Sequence, residues 1–64
     1  MSNYISIASE ALRLIKCGQT SNARRYVESL THYPEGRVAL EFMLSGQIDK
    51  AREVLEYGKA WNQK

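Results

Sequence analysis

Apolar residues in this chain recur at helical spacing in four separate stretches. Tyr4, Ile5, Ala8, Ala11, Leu12 and Ile15 form the first stripe, spaced as one face of a helix. Ser2 or Asn3 can cap its start, because a side-chain oxygen there satisfies an otherwise orphan amide. Gly18 ends it, since glycine enters the left-handed conformation of a helix terminus without a Cβ penalty. Ala23, Tyr26, Val27 and Leu30 make the second stripe, which starts near the capping candidate Thr20. The run His32-Tyr33-Pro34-Glu35-Gly36 is the clear break, with a proline that ends one helix or opens the next. Val38, Ala39, Phe42 and Met43 follow, closed by Gly46. Ile48, Ala51, Val54 and Leu55 form the last stripe, which can extend to Trp61. Gly58 interrupts that last helix and is expected to fray its end.

Apolar and polar residues nowhere keep up the alternation of a strand. The connections at Gly18 and Gly46 are short, so consecutive helices must run antiparallel as αα-hairpins. The pattern predicts an all-α single domain over residues 1–64, without a β-sheet. Its first hairpin spans 1–32 and its second 37–61.

The two hairpins also repeat each other at an offset of 28 residues. Ala11-Leu12 falls on Ala39-Leu40, Ile15 on Met43, Gly18-Gln19 on Gly46-Gln47, Ala23-Arg24 on Ala51-Arg52, Val27 on Leu55 and Glu28 on Glu56. Self-similarity at a fixed period is the signature of a helical repeat. The recurring alanines are small where helix backbones approach, flanked by Leu14, Val27 and Leu30 in one unit and by Phe42 and Leu55 in the other. Alternation of small and large side chains lets helices cross closely.

This form, Ala-Leu-x-x-Ile-x-x-Gly-Gln-x-x-x-Ala-Arg ending near Pro34, resembles a tetratricopeptide-type repeat. Residues 11–34 look like one unit and residues 39–57 like a second, with a shorter period than the roughly 34 residues usual in that family. The resemblance implies a concave surface, made by the first helix of each hairpin, that receives a peptide or helix. By position that surface would carry Leu12, Ile15 and Lys16 in one unit and Leu40, Met43 and Leu44 in the other. The alternative is that Leu12, Ile15, Leu40 and Met43 are core, since a small domain needs all its apolar residues. Leu44 is the more telling position. The third helix is apolar nearly all round, which is the mark of a buried helix, and a homodimer would cover the face that two hairpins cannot.

Composition narrows the choice. A chain of 64 residues buries only about 60% of its unfolded surface, and no staple is visible. The single cysteine, Cys17, cannot form an internal disulfide, and the single histidine, His32, has no partners at metal-site spacing. No metal or other cofactor is therefore expected. A lone thiol without a signal peptide fits a cytoplasmic location, and no apolar run approaches membrane-span length.

The formal net charge is +2, and the excess lies in the first half. There Arg13, Lys16, Arg24 and Arg25 outnumber Glu10 and Glu28. Those four cations could form a nucleic-acid patch. They could equally be a solvated face with Arg24–Glu28 and Arg52–Glu56 pairs at i,i+4, which is the expected reading. A DNA-reading helix-turn-helix fits badly, because Arg24 or Arg52 would stand where its second helix buries an aliphatic.

Catalysis has no support in the pattern. His32 lies in a loop without a nucleophile, and Cys17 sits at a helix end whose negative pole disfavours a thiolate. The aromatics Tyr4, Tyr26, Tyr33, Tyr57 and Trp61 are numerous and suit interfaces, with Tyr33 expected to be exposed. The sequence thus predicts a small, non-enzymatic interaction module. Adaptors, inhibitors and regulators of bacterial or phage type fit this size, acting on an unidentified protein partner and forming a homodimer. A nucleic-acid-associated regulator is the alternative.

Overall fold

The computed structural model describes residues 4–62, so the expected caps Ser2 and Asn3 lie outside the described residues. Four helices follow in order: α1 (Tyr4–Lys16), α2 (Thr20–Glu28), α3 (Pro34–Leu44) and α4 (Ile48–Asn62). Among the described residues there is no strand, and the all-α reading stands.

The internal repeat extends to the hydrogen bonds of the turns. Gly18 and Gly46 have φ of 79° and 81°, the left-handed conformation that closes a helix. Gly18 donates its amide to Ile15 at 3.0 Å and Gln19 donates to Leu14 at 2.8 Å. The second hairpin copies this, with Gly46 donating to Met43 at 3.1 Å and Gln47 to Phe42 at 2.8 Å. Both are Schellman closures, in which the last carbonyls of the helix find donors just past its end. Each next helix then starts at once: Ala23 and Ala51 donate to the carbonyls of Gln19 and Gln47 at 3.0 and 3.1 Å. Gln19, not Thr20, occupies the cap position of α2, and no side chain caps it.

At the centre of the chain Tyr33 is extended, with φ −100° and ψ 143°, as a residue before proline prefers to be. Pro34 occupies the first turn of α3, where its missing amide is not needed. The second hairpin therefore begins three residues earlier than the predicted 37 and ends at Asn62.

α1 packs against α2 and α4, and α3 packs against α2 and α4. The last helix thus returns to the first, and the four enclose one core. Ala11, Ala23, Ala39 and Ala51 are fully buried, as their place in the repeat implies, and so is Ala8, with Val27, Leu30 and Leu55 also in the core. Burying a side chain such as Leu55 contributes about 1.5–3 kcal/mol.

Two contacts fix how the helices close. Gly36, in the first turn of α3, lies against the backbone of Leu30, and a methyl group there would collide with the Leu30 carbonyl and stand 2.6 Å from its Cβ. Gly58, within α4, is buried under Tyr4, the first residue of α1. A methyl group at Gly58 would collide with the Tyr4 hydroxyl and stand 2.6 Å from the ring carbon that bears it. The expectation that Gly58 frays α4 is therefore corrected: the helix continues through it to Asn62, because glycine is what lets the tyrosine in.

Tyr4 is fully buried. Its hydroxyl donates to the Leu55 carbonyl at 3.4 Å, a long and weak bond. Its ring meets that of Tyr33 edge to face, with centroids 5.1 Å apart. Tyr33 is consequently half-buried rather than exposed. Burial pushes the Tyr4 phenol up to about 12, with the Glu35 carboxylate adding to the effect.

Candidate functional site

The six residues of the expected concave surface separate into three groups. Leu12 and Met43 belong to the core, with 7% and 8% of their surface exposed. Ile15 and Leu40 are half-buried against it. Lys16 and Leu44 are exposed. Because α4 folds back on α1, the inner faces of the first helices look into the core, and most of the apolar stripe is used there.

Leu44 is the exception, at 63% exposed. It sits one turn after Leu40 on one flank of α3, while Val38, also exposed, lies on the other side of the buried residues Gly36, Ala39 and Met43. The third helix is thus covered on a single face by its own chain.

Sequence reasoning placed Trp61 at the end of a buried stripe, and the structure puts it on the surface at 60% exposed, with Tyr57 at 65%. Val54, Tyr57 and Trp61 follow one another at i, i+3 and i+7, a second line down α4 beside the buried one of Ala51, Leu55 and Gly58. That phase difference was available in the sequence. Tyr26 is likewise exposed on α2.

The four basic residues are all exposed but are not equally available. Arg13 is hydrogen-bonded to Glu10 one turn earlier, which holds the Glu10 carboxyl below its usual range. Arg24 lies 3.7 Å from Glu28, as expected. The matching pair between Arg52 and Glu56 is not formed among the described residues. Exposed pairs of this kind contribute little, about 0–1 kcal/mol.

Two hollows mark the surface. One, of about 170 Å³, lies where Thr20, Ser21 and Arg24 of α2 meet Met43 and Ile48. The larger, of about 410 Å³, opens between α1 and α4 and is lined by Ser9, Leu12, Arg13, Lys16, Glu56, Lys59 and Ala60. Among the described residues no cluster of His, Cys, Asp and Glu could hold a metal ion. None of their helices is long and apolar enough to cross a membrane. Cys17 is exposed beside the first turn.

Comparison with protein-family models, with curated proteins and with solved structures finds no match for the chain.

Proposed function

We propose that this chain is a non-enzymatic binding protein that acts by occupying a surface of another protein, and that it self-associates as a homodimer through α3. One observation supports this above others: Leu44 stands mostly exposed at the end of a helix of which only one face is covered. Val38, Tyr57 and Trp61 add further exposed apolar surface on the same hairpin. Exposed large apolar residues in such number on a small domain point to an interaction surface, and aromatic side chains are favoured in such sites. In a chain with so small a core, covering them adds stability that the fold alone lacks.

Sedimentation over a wide concentration range, with circular dichroism alongside, tests the proposal. The parent chain should sediment as a dimer and Leu44→Glu as a helical monomer, because the glutamate would bury an unpaired charge at the interface. Met43→Glu is not an equivalent probe, since Met43 is core and its replacement would unfold the chain. Monomeric parent protein at every concentration would refute self-association. A dimer that survives Leu44→Glu but dissociates with Trp61→Glu would move the interface from α3 to α4.

A further inference from the structure

We infer that the cleft between α1 and α4 is a docking site for an acidic peptide segment that presents one apolar side chain between carboxylates. The inference rests on reading the chain as a protein-binding module, and it is independent of self-association through α3.

The cleft is a product of how α1 and α4 are joined. They are drawn together where Tyr4 sits on Gly58 and its hydroxyl reaches the Leu55 carbonyl. Beyond that contact the later turns of α1 and the end of α4 leave about 410 Å³ between them. This is within the range of sites that hold a ligand group, roughly 300–1,000 Å³. Ala60 forms part of the α4 wall, where a bulky aromatic side chain would obstruct the opening.

Chemistry selects the occupant. Leu12 and Ala60 offer apolar surface, Ser9 a hydroxyl, and Arg13, Lys16 and Lys59 three cations against the single carboxylate of Glu56. Glu10 takes up the Arg13 charge, which leaves Lys16 and Lys59 against Glu56 and a net positive opening that attracts anions. An acidic peptide matches it at both levels, with carboxylates on Lys16 and Lys59 and an apolar side chain on Leu12. A nucleic-acid backbone matches it less well. Glu56 opposes a run of phosphates, Arg13 is shared with Glu10, and the apolar floor would be left without a partner.

The test is a titration of the full-length, isotope-labelled chain followed by amide chemical shifts. Four probes are compared: a peptide of glutamates around a central leucine, a glutamate-only peptide of equal length, inorganic phosphate and single-stranded oligothymidylate. The leucine-containing peptide should shift the amides of Ser9, Leu12, Lys16, Lys59 and Ala60 and bind more tightly than the other three. Lys16→Glu combined with Lys59→Glu should weaken it on the order of tenfold or more, the scale of two lost exposed ion pairs. Ala60→Phe should block it without a change of charge. Ala60 is exposed, so this variant keeps the fold, and unchanged circular dichroism verifies that.

The inference fails if those amides do not move, if the glutamate-only peptide binds equally well, or if Ala60→Phe has no effect. It also fails if oligothymidylate is the tightest of the four, which would assign the cleft to nucleic acid. A failure here with a dimeric parent chain would leave the proposed function standing.

Discussion

The two places where the hairpins meet solve one problem in opposite ways. At the junction of α2 and α3, Leu30 is large and Gly36 gives way. At the junction of α1 and α4, the residue that corresponds to Leu30 at the 28-residue offset is Gly58, and the bulk comes from Tyr4 on the facing helix. Each junction pairs a large residue with a glycine, but the two have exchanged elements. The difference lies in what touches the glycine. Gly36 faces backbone, and the Leu30 carbonyl is itself tied to the Tyr33 amide at 2.9 Å. Gly58 faces a side chain, the buried ring and hydroxyl of Tyr4, rather than backbone. Close packing is therefore equally tight at both places and unequally forgiving.

The largest effect should come from Gly36→Ala. The methyl group cannot be accommodated without moving the chain at Leu30, and we expect a loss of about 3 kcal/mol, at the upper end of overpacking costs, read from urea denaturation. Next come Gly18→Ala and Gly46→Ala. A Cβ at either position would meet nothing within 4 Å, so the cost is that of the left-handed backbone alone, about 1 kcal/mol each. Near-equality of these two would show that the repeat is energetic as well as geometric; a large difference would break the comparison of the hairpins.

Gly58→Ala should cost less than about 1 kcal/mol, because the higher helix propensity of alanine offsets part of the clash with Tyr4. Tyr4→Phe removes the nearest atom and leaves the ring carbon Cζ 2.6 Å away, so it relieves the clash in part. Gly58→Ala should therefore cost less in the Tyr4→Phe background than in the parent. Absence of that coupling in a double-mutant cycle would dissociate the two residues.

A separate effect concerns alkaline pH. Tyr4 titrates at about 12 in the fold against the ordinary 10.0. Its raised value means that the unfolded chain loses the proton first. The associated stability is complete below pH 10 and is lost as pH rises towards 12. Tyr4→Phe should lack this component, so the difference in stability between the two chains should be constant below pH 10 and change within that window.

Much of the fold was readable from the residues because helix periodicity and turn glycines are local signals. The offset of 28 placed Gly18 and Gly46 together, and their hydrogen bonds agree to within 0.1 Å. What could not be read depended on residues remote in the chain. Gly58 looks like a helix breaker until Tyr4 is set beside it. Tyr33 looks like an exposed loop residue for the same reason, since Tyr4 again provides the contact. The candidate surface was only partly legible because buried or half-buried candidates stand one helical turn from exposed ones, Leu12 before Lys16 on α1 and Leu40 before Leu44 on α3. Leu12 and Leu44 have equal hydropathy and opposite surroundings, decided by where α4 lies. The cleft was illegible altogether, since it needs Arg13 and Lys16 from one end of the chain and Lys59 and Ala60 from the other.

That same closure has a temporal meaning. Tyr4 is made before its acceptor at Leu55, 51 residues further along the chain, and before its seat at Gly58. The first hairpin can coil as soon as it emerges, since its turn bonds span only a few residues. Its outer end must stay unlatched until Leu55 and Gly58 have left the ribosome. Contacts of such long sequence separation are the slow ones, and an incomplete chain exposes whatever they would have covered. A nascent copy stalled before Leu55 would carry a bare tyrosine where the finished protein carries its clasp.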